Sequence, residues 1–222
     1  MAIGRVICGE ILDHLPADDP SALRSRLDLL AINALMGNIR WVRRALRRTI
    51  KNAEKPSASG GHGIRFIEIG AGDGRLCRKI SCWFPEALVT GLDLAPRPSG
   101  LPRAISWRQG DLLDELPSCV GEALVGVLIL HHFPDESLIG IGRMLRDYRV
   151  VCFCEPWRAR FPHFLGALLR PFCGKVTRHD LPASIDAGFV SGELSRLLGL
   201  ESWHVEESVD WRGSLRLLAW KE

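Results

Sequence analysis

The stretch FIEIGAGDGRLCRKI, residues 66–80, has Gly70, Gly72 and Gly74 between a short apolar run and a helical pattern. Glycines in such a turn remove side chains, so backbone N–H groups and the start of the following helix can approach a ligand closely. Asp73 is expected to cap that helix, because its carboxylate can accept hydrogen bonds from first-turn amides. A glycine turn without a ligand is the structural alternative, and the surrounding sequence decides between the two.

Short apolar runs alternate with amphipathic stretches around this turn, which is typical of a parallel sheet wrapped by helices. Five candidate strands result, in residues 64–70, 87–94, 104–111, 123–130 and 149–156, with helices over 73–84 and 135–147. The last two extended runs, joined through residues 211–213, predict a terminal antiparallel hairpin. We therefore predict a three-layer α/β fold with a Rossmann-like, doubly wound, mostly parallel sheet.

A cluster of Gly, Ser and Pro, NAEKPSASGGHG at residues 52–63, separates a leading segment from this sheet. The leading segment has apolar residues at helical spacing from Ser21 to Asn52, with a break expected near Gly37. We predict an N-terminal helical extension over residues 1–55 and a ligand-binding domain over 56–222.

Length and composition exclude several classes of protein. The 222 residues suffice for one core, and 46% hydrophobic with 25% charged residues excludes a wholly disordered chain. The seven cysteines are scattered and form no CxxC pair, which indicates reduced thiols and predicts no metal site. The first residues lack the pattern of a secretory signal, and no apolar run reaches the roughly 18 residues of a membrane span. These features predict a cytoplasmic protein.

The spacing of the glycines narrows the ligand. A second acid, Asp93, ends the next apolar run about 20 residues after the turn, where Rossmann-type sites place an acid against a ribose. A dinucleotide fingerprint requires a third glycine where this chain has Arg75, and a phosphate-binding Walker loop requires Gly-Lys-Ser/Thr where it has Gly74-Arg75-Leu76. The sequence therefore matches both patterns poorly. A nicotinamide-dependent oxidoreductase is the less favoured functional hypothesis.

The motif EIGAGDG, residues 68–74, resembles the first motif of class I S-adenosylmethionine-dependent methyltransferases, an acid followed by G-x-G-x-G. The resemblance covers residues 60–155 well and implies S-adenosylmethionine as the cofactor. It implies that Glu68 fixes the amino-acid end of the cofactor, that Asp93 bonds the ribose hydroxyls, and that Asp111 meets the adenine amino group. The full set that it places at the cofactor is Glu68, Gly70, Ala71, Gly72, Gly74, Asp93, Leu94, Asp111 and Leu112.

Structural roles remain open for two of these acids. Asp93 could be an acid at the start of a loop, and Asp111 could be a helix cap in the segment D-L-L-D-E. Their occurrence in order, at successive strand ends, favours a shared ligand over two unrelated structural roles.

Three histidines are candidates for a catalytic base, since a histidine can accept a proton near neutral pH. His131 and His132 follow the fourth strand in LILHHFPDESL, which is similar to the segment that lines the methyl-transfer site in the family. A strand-end histidine that bonds a backbone carbonyl is the structural alternative. His179 lies in KVTRHDLPASIDAGF, residues 175–189, which we interpret as a loop that contacts the acceptor.

The sequence indicates less about the methyl acceptor than about the cofactor. Residues 157–174, WRARFPHFLGALLRPFCG, have a wide apolar face that indicates either a helix packed on the core or a lid over a lipophilic acceptor. The sequence thus predicts methyl transfer to a small, hydrophobic molecule at oxygen, carbon or nitrogen. A non-catalytic module that binds the same cofactor is the alternative.

The basic run GNIRWVRRALRRTIK, residues 37–51, is expected to be either a solvated helix face or a contact with an anionic membrane. No nucleic-acid partner is expected, because the net charge of +3 is small and no aromatic-rich RNA-binding module is present.

Overall fold

The computed structural model describes residues 4–16, 18–53 and 63–221. Its central sheet has seven strands, β1 Arg65–Ile69, β2 Leu88–Asp93, β3 Ser106–Gln109, β4 Ala123–Val127, β5 Val150–Pro156, β6 His204–Asp210 and β7 Ser214–Trp220. The strand order is β3-β2-β1-β4-β5-β7-β6. Every neighbouring pair is parallel except those formed by β7, which runs antiparallel to both β5 and β6. The predicted fold class, the five parallel strands and the terminal hairpin are confirmed.

The described helices are α1 Ile11–His14, α2 Pro20–Met36, α3 Asn38–Ala53, α4 Arg75–Trp83, α5 Leu112–Glu115, α6 Asp135–Met144, α7 Arg160–Leu169, α8 Lys175–Ala187 and α9 Glu193–Leu197. The predicted break near Gly37 is confirmed, because Gly37 ends α2 with a φ of +70°. No helix in the described ranges is both long enough and apolar enough to cross a membrane.

The predicted loop at residues 175–189 is wrong, since α8 occupies most of it. Pro182 lies inside this helix, where a proline removes one backbone hydrogen bond and disfavours helix on local grounds. Burial of Val176 and Ile185 against neighbouring helices overrides that local preference.

The core lies on both faces of the sheet, because successive side chains of a strand point to opposite sides. Phe66 packs with Val42 and Leu46 of α3 on one face. Its neighbour Ile67 packs with Leu138 of α6 on the other. Because β1 to β5 are parallel, their carboxyl ends lie at the same edge of the sheet, and helices cover both faces.

Helices α2 and α3 are hydrogen-bonded to the terminal hairpin. The Ser214 hydroxyl donates to Asn38 Oδ1 at 2.7 Å, and Arg216 donates to the carbonyl of Met36 at 2.7 Å. Of the predicted linker, residues 54–62 lie outside the described residues. The domain division at residue 55 stays a prediction.

Candidate functional site

The turn after β1 contains three glycines in the left-handed region, with φ of +63° at Gly70, +52° at Gly72 and +69° at Gly74. A Cβ at Gly70 would lie 2.7 Å from Ile129, and a Cβ at Gly74 would lie 2.6 Å from Leu101, so these two glycines permit close packing. A Cβ at Gly72 would meet nothing within 4 Å. The turn is therefore packed from below and open at Gly72, where a ligand has room.

The helix after the turn begins later than predicted. Gly74 is its N-cap, and α4 starts at Arg75. The prediction that Asp73 caps this helix is wrong, because Asp73 precedes the N-cap residue, although its carboxylate accepts a hydrogen bond from the Arg75 amide at 3.1 Å. Ala71 is buried beneath the turn and donates its amide to the carbonyl of Leu92 at 3.2 Å, which joins the turn to β2.

Asp93, at the end of β2, lies against the glycine turn. Its Oδ2 accepts from the Gly72 amide at 2.7 Å, and its Oδ1 accepts from the Ala95 amide at 2.8 Å. Each carboxylate oxygen can accept a second hydrogen bond, so these contacts orient the group and leave acceptor capacity. Leu94, the next residue, is exposed beside it.

Glu68 is a buried acid at the end of β1. Its Oε2 is buried without a hydrogen-bond partner among the described residues. Burial raises the pKa of Glu68 to about 8, although a hydrogen bond from Cys77 opposes the shift. An unpartnered buried carboxyl oxygen is costly and suits a ligand that brings a cationic donor.

Asp111 is the N-cap of α5, where it accepts from the Leu113 amide at 2.8 Å. This is the capping role that the sequence left open, and Leu112 beside it is buried in the core. Both residues follow β3, the outermost parallel strand.

The loop after β4 is strained and firmly held. Leu128 has a φ of +58°, which is rare for a bulky residue and is found mostly at functional sites. The next three amides, of residues 129–131, all donate to the carboxylate of Glu155 at the end of β5. Sequence reasoning missed Glu155, although a single acid closing an otherwise apolar strand was a usable signal.

His131 is buried between two carboxylates. Its Nδ1 lies 2.8 Å from Glu155 Oε2, and its Nε2 lies 3.6 Å from Glu10 Oε1. Burial alone would lower the pKa of His131, but the hydrogen bonds and negative charges of Glu10 and Glu155 outweigh it and raise the pKa to about 9. The resting side chain is thus an imidazolium near neutral pH.

The other two candidate histidines lie in different surroundings. The His132 ring contacts that of His131, with centroids 4.3 Å apart, and its Nδ1 lies 3.5 Å from Asp13. His179 lies on the exposed side of α8, outside the cavity described below, with Nδ1 2.9 Å from Asp180. The His179 ring and the carboxylate of its neighbour Asp180 are therefore within hydrogen-bonding distance of each other.

One cluster has metal-ligand chemistry. The ligand atoms that Glu10, His131 and His132 could offer lie within 4.8 Å of one another. Glu155 and Ser184 already bind His131 and Glu10, so hydrogen bonds within the protein account for the arrangement. The sequence did not indicate this cluster, because Glu10 lies more than a hundred residues from the two histidines.

A cavity of about 480 Å³ lies beside this histidine pair. Its walls come from the N-terminal segment, α2, the loop after β4, α7, α8 and the turn between β6 and β7. Most of the lining is aliphatic. Contacts between side chains join the polar lining residues Glu10, Asp13, His131, His132 and Ser184 into one cluster, and Arg212 is paired with Asp210. The cavity therefore suits an apolar molecule with one polar, proton-bearing group.

The N-terminal segment is anchored beside this polar cluster. Arg5 donates to the carbonyls of His131 and Phe133 and pairs with Asp135 at 2.6 Å. Asp180 accepts from the amides of residues 11 and 12. These contacts position Glu10 beside His131.

Comparisons with known proteins agree with this geometry. No protein-family model and no curated protein matches the sequence. Among solved structures, the plantazolicin methyltransferase BpumL, in complex with a monoazolic desmethylPZN analog and S-adenosylhomocysteine, aligns with a TM-score of 0.70 at 12% identity over 92% of this chain and 91% of that one. The fold is that of the class I methyltransferases.

Two more structures with this methyltransferase fold show its range. Human N-acetylserotonin methyltransferase in complex with S-adenosylmethionine gives a TM-score of 0.59 at 14% identity over 94% of this chain and 61% of that one. Magnesium protoporphyrin IX methyltransferase from Synechocystis, with bound S-adenosylhomocysteine, gives 0.54 at 15% identity over 84% of each chain. These likenesses concern the fold, and the acceptors differ among the three proteins.

Proposed function

We propose that this chain binds S-adenosylmethionine at the glycine turn and transfers its methyl group to a small, largely apolar acceptor bearing a hydroxyl group. The observation on which this rests is the loop after β4. One side of it touches the turn, through Ile129 beside Gly70, and the other side lines the cavity, through Leu128 and His131. A cofactor at the turn and an acceptor in the cavity would meet across this loop.

The residues at the turn fit the cofactor. The unpartnered oxygen of Glu68 suits its ammonium group, the open face of Gly72 leaves room for it, and Asp93 retains acceptor capacity for sugar hydroxyls. When bound, the cofactor supplies an electrophilic methyl group on a sulfonium. The remaining members of the proposed cofactor set are Gly70, Ala71, Gly74, Leu94, Asp111 and Leu112.

On the acceptor side, the task of the protein is to exclude water and to remove a proton. Glu155 fixes the His131 ring through Nδ1, so Nε2 is the nitrogen that can take the hydroxyl proton. Because Glu10 and Glu155 together raise the pKa of His131, the histidine must first release a proton, to solvent or to Glu10 beside its Nε2, before it can act as a base. His132 borders the same polar end, and His179 is proposed only as an outer contact for a larger acceptor.

Two measurements test the proposal in sequence. Calorimetry with S-adenosylhomocysteine should show micromolar binding to the purified protein. A screen of phenols, hydroquinones and hydroxylated fatty acids with S-adenosylmethionine should then yield an acceptor that gains one methyl group, with one S-adenosylhomocysteine formed per methyl. Absence of binding would contradict the cofactor assignment. Binding without transfer to any acceptor class would favour the non-catalytic module.

A further inference from the structure

Helix α2 exposes large apolar side chains on its outer side. Its buried side includes Ser25 and Asp28, which bond Thr177 and the Gly174 amide across to α8. Its outer side presents Leu27 and Leu35, which are 61% and 58% exposed. The buried side also contains Ala22, Ile32 and Met36, and Arg24 and Arg26 are exposed near the leucines. The exposed leucines therefore form an apolar patch beside basic residues, which is typical of an interaction surface.

The same apolar character continues on α7 and beyond. Phe164 and Leu168, one helical turn apart, are both more than half exposed, and Phe172 is 75% exposed after the end of the helix. The turn between β6 and β7 adds Trp211, which is 69% exposed. We call Leu27, Leu35, Phe164, Leu168, Phe172 and Trp211 the apolar rim.

Part of the apolar rim forms the mouth of the acceptor cavity. Leu35, Leu168 and Trp211 are exposed and also line the cavity, so it opens between α2, α7 and the hairpin turn. The Phe172 end of the rim adjoins α2 as well, because Arg24 donates to the Phe172 carbonyl at 2.9 Å. The turn that presents Trp211 is held by Asp210, which binds Arg212 and Arg216.

Basic residues border this rim. The stretch from residue 157 to residue 179 has four arginines and one lysine and no acidic residue. Arg170, Lys175 and Arg178 are exposed within it, next to Phe172. Two copies of the chain joined symmetrically through the rim would bring these like charges together, which disfavours a dimer at this surface and favours an anionic partner.

We propose that the apolar rim docks the protein on an anionic lipid bilayer, with the cavity mouth opening onto the lipid. Aromatic side chains, above all Trp211, would lie at the level of the headgroups, and the basic border would meet the lipid phosphates. The docking itself does not depend on methyl transfer. Its consequence does rest on the proposed function, since an apolar acceptor could then enter the cavity from the bilayer.

This surface is distinct from the one that the sequence suggested. The apolar side of α3 is buried in the core through Val42, Leu46 and Ile50, so the basic helix exposes arginines without an apolar face. Membrane contact through residues 37–51 stays a prediction. Substitution of the α3 arginines therefore separates the two surfaces, because it should weaken vesicle binding strongly only if residues 37–51 meet the lipid.

Co-sedimentation with vesicles tests the docking. The full chain should bind vesicles of equal phosphatidylglycerol and phosphatidylcholine, and should bind pure phosphatidylcholine much less. The double variant Phe164→Gln/Phe172→Gln should bind the anionic vesicles at least about tenfold more weakly, because two aromatic rings no longer enter the interface. The matched variant Arg44→Gln/Arg47→Gln on α3 should lose no more than about twofold, since those charges would lie away from the lipid.

Circular dichroism and S-adenosylhomocysteine binding, measured on the same samples, separate this proposal from the previous one. Loss of cofactor binding with normal vesicle binding would contradict the methyltransferase assignment and leave the docking standing. The docking is wrong if the folded wild-type protein ignores anionic vesicles, or if the phenylalanine variant binds them as well as the wild type. It is also wrong if the wild type is a dimer that this variant dissociates, because a second copy would then cover the rim.

Discussion

The glycine turn and the acceptor cavity are the two halves of the proposed site, and they are assembled in opposite ways. The turn comes from one short stretch of sequence, with Glu68 and Gly72 only a few residues apart, and Asp93 joins it from the adjacent strand. The cavity draws its walls from several segments that lie far apart in the sequence, and its polar end depends on Glu10 near the start of the chain. The cofactor half is therefore local and stereotyped, whereas the acceptor half is a product of tertiary structure and can vary without changing the fold.

The largest expected effect comes from closing the turn. Gly72→Arg should abolish S-adenosylhomocysteine binding, because the side chain would fill the open space at the turn and a left-handed φ disfavours it. Gly192→Arg is the matched control, since Gly192 also has a positive φ of +79° and open space but lies at the start of α9. Calorimetry on both folded variants should show binding only for the control. Equal binding by the two would remove the turn from the site.

The next effect should appear in the acceptor half alone. His131→Asn should lower the methyl-transfer rate by about 10²- to 10⁴-fold, the usual contribution of a general base, and leave cofactor affinity unchanged. His163→Asn is the control, because His163 also pairs with a carboxylate, Asp186 at 2.9 Å, but does not line the cavity. Single-turnover rates would decide, and a His131→Asn enzyme as fast as the control would exclude a base role.

The glycine turn was easier to predict from the sequence than the acceptor cavity. The turn could be predicted because glycine spacing and a following acid are local features, and the strands because apolar runs of this length are distinctive. Arg5 and Glu10 could not, since their partners lie more than a hundred residues away and nothing in the leading segment marks them. The error at α8 has a similar origin, because packing in three dimensions stabilised a helix that Pro182 disfavours locally.

Substitution of Glu68 should have a moderate effect, with opposite signs on cofactor affinity and on the stability of the protein. Glu68→Gln should weaken S-adenosylhomocysteine binding roughly 10- to 100-fold, the range expected when a hydrogen bond to a charged group is lost. The pKa of this acid is raised from 4.5 to about 8 in the folded protein, so the folded state holds more protons than the unfolded state between these pH values. Stability without ligand should therefore fall as the pH rises from 4.5 through 8.

The variant should lose the part of that pH dependence that Glu68 causes, keep the part that the raised pKa of His131 causes, and melt at a higher temperature than the wild type at pH 8 to 9. Thermal denaturation across this range provides the measurement. A wild-type melting temperature that rises with pH in step with the variant would contradict the burial of an uncompensated carboxyl group.

The smallest effect should be a shift in pH profile. The pKa of His131 is raised to about 9 against the burial that would lower it, and the proposed base acts only when neutral, so kcat/KM should increase with pH up to about 9. Glu10→Gln removes one of the two negative charges, so the rise should move to lower pH and change the rate at neutral pH by only a few fold. An unchanged midpoint in the variant would show that Glu10 does not control the histidine.

A crystal structure of the protein with S-adenosylhomocysteine tests the central claim most directly. We expect the amino-acid end at Glu68, the ribose at Asp93, and the sulfur directed past the loop of residues 128–132 towards the cavity and His131. A ligand bound elsewhere, or one at the turn with its sulfur directed away from that loop, would contradict the proposed methyl transfer even if the fold stands.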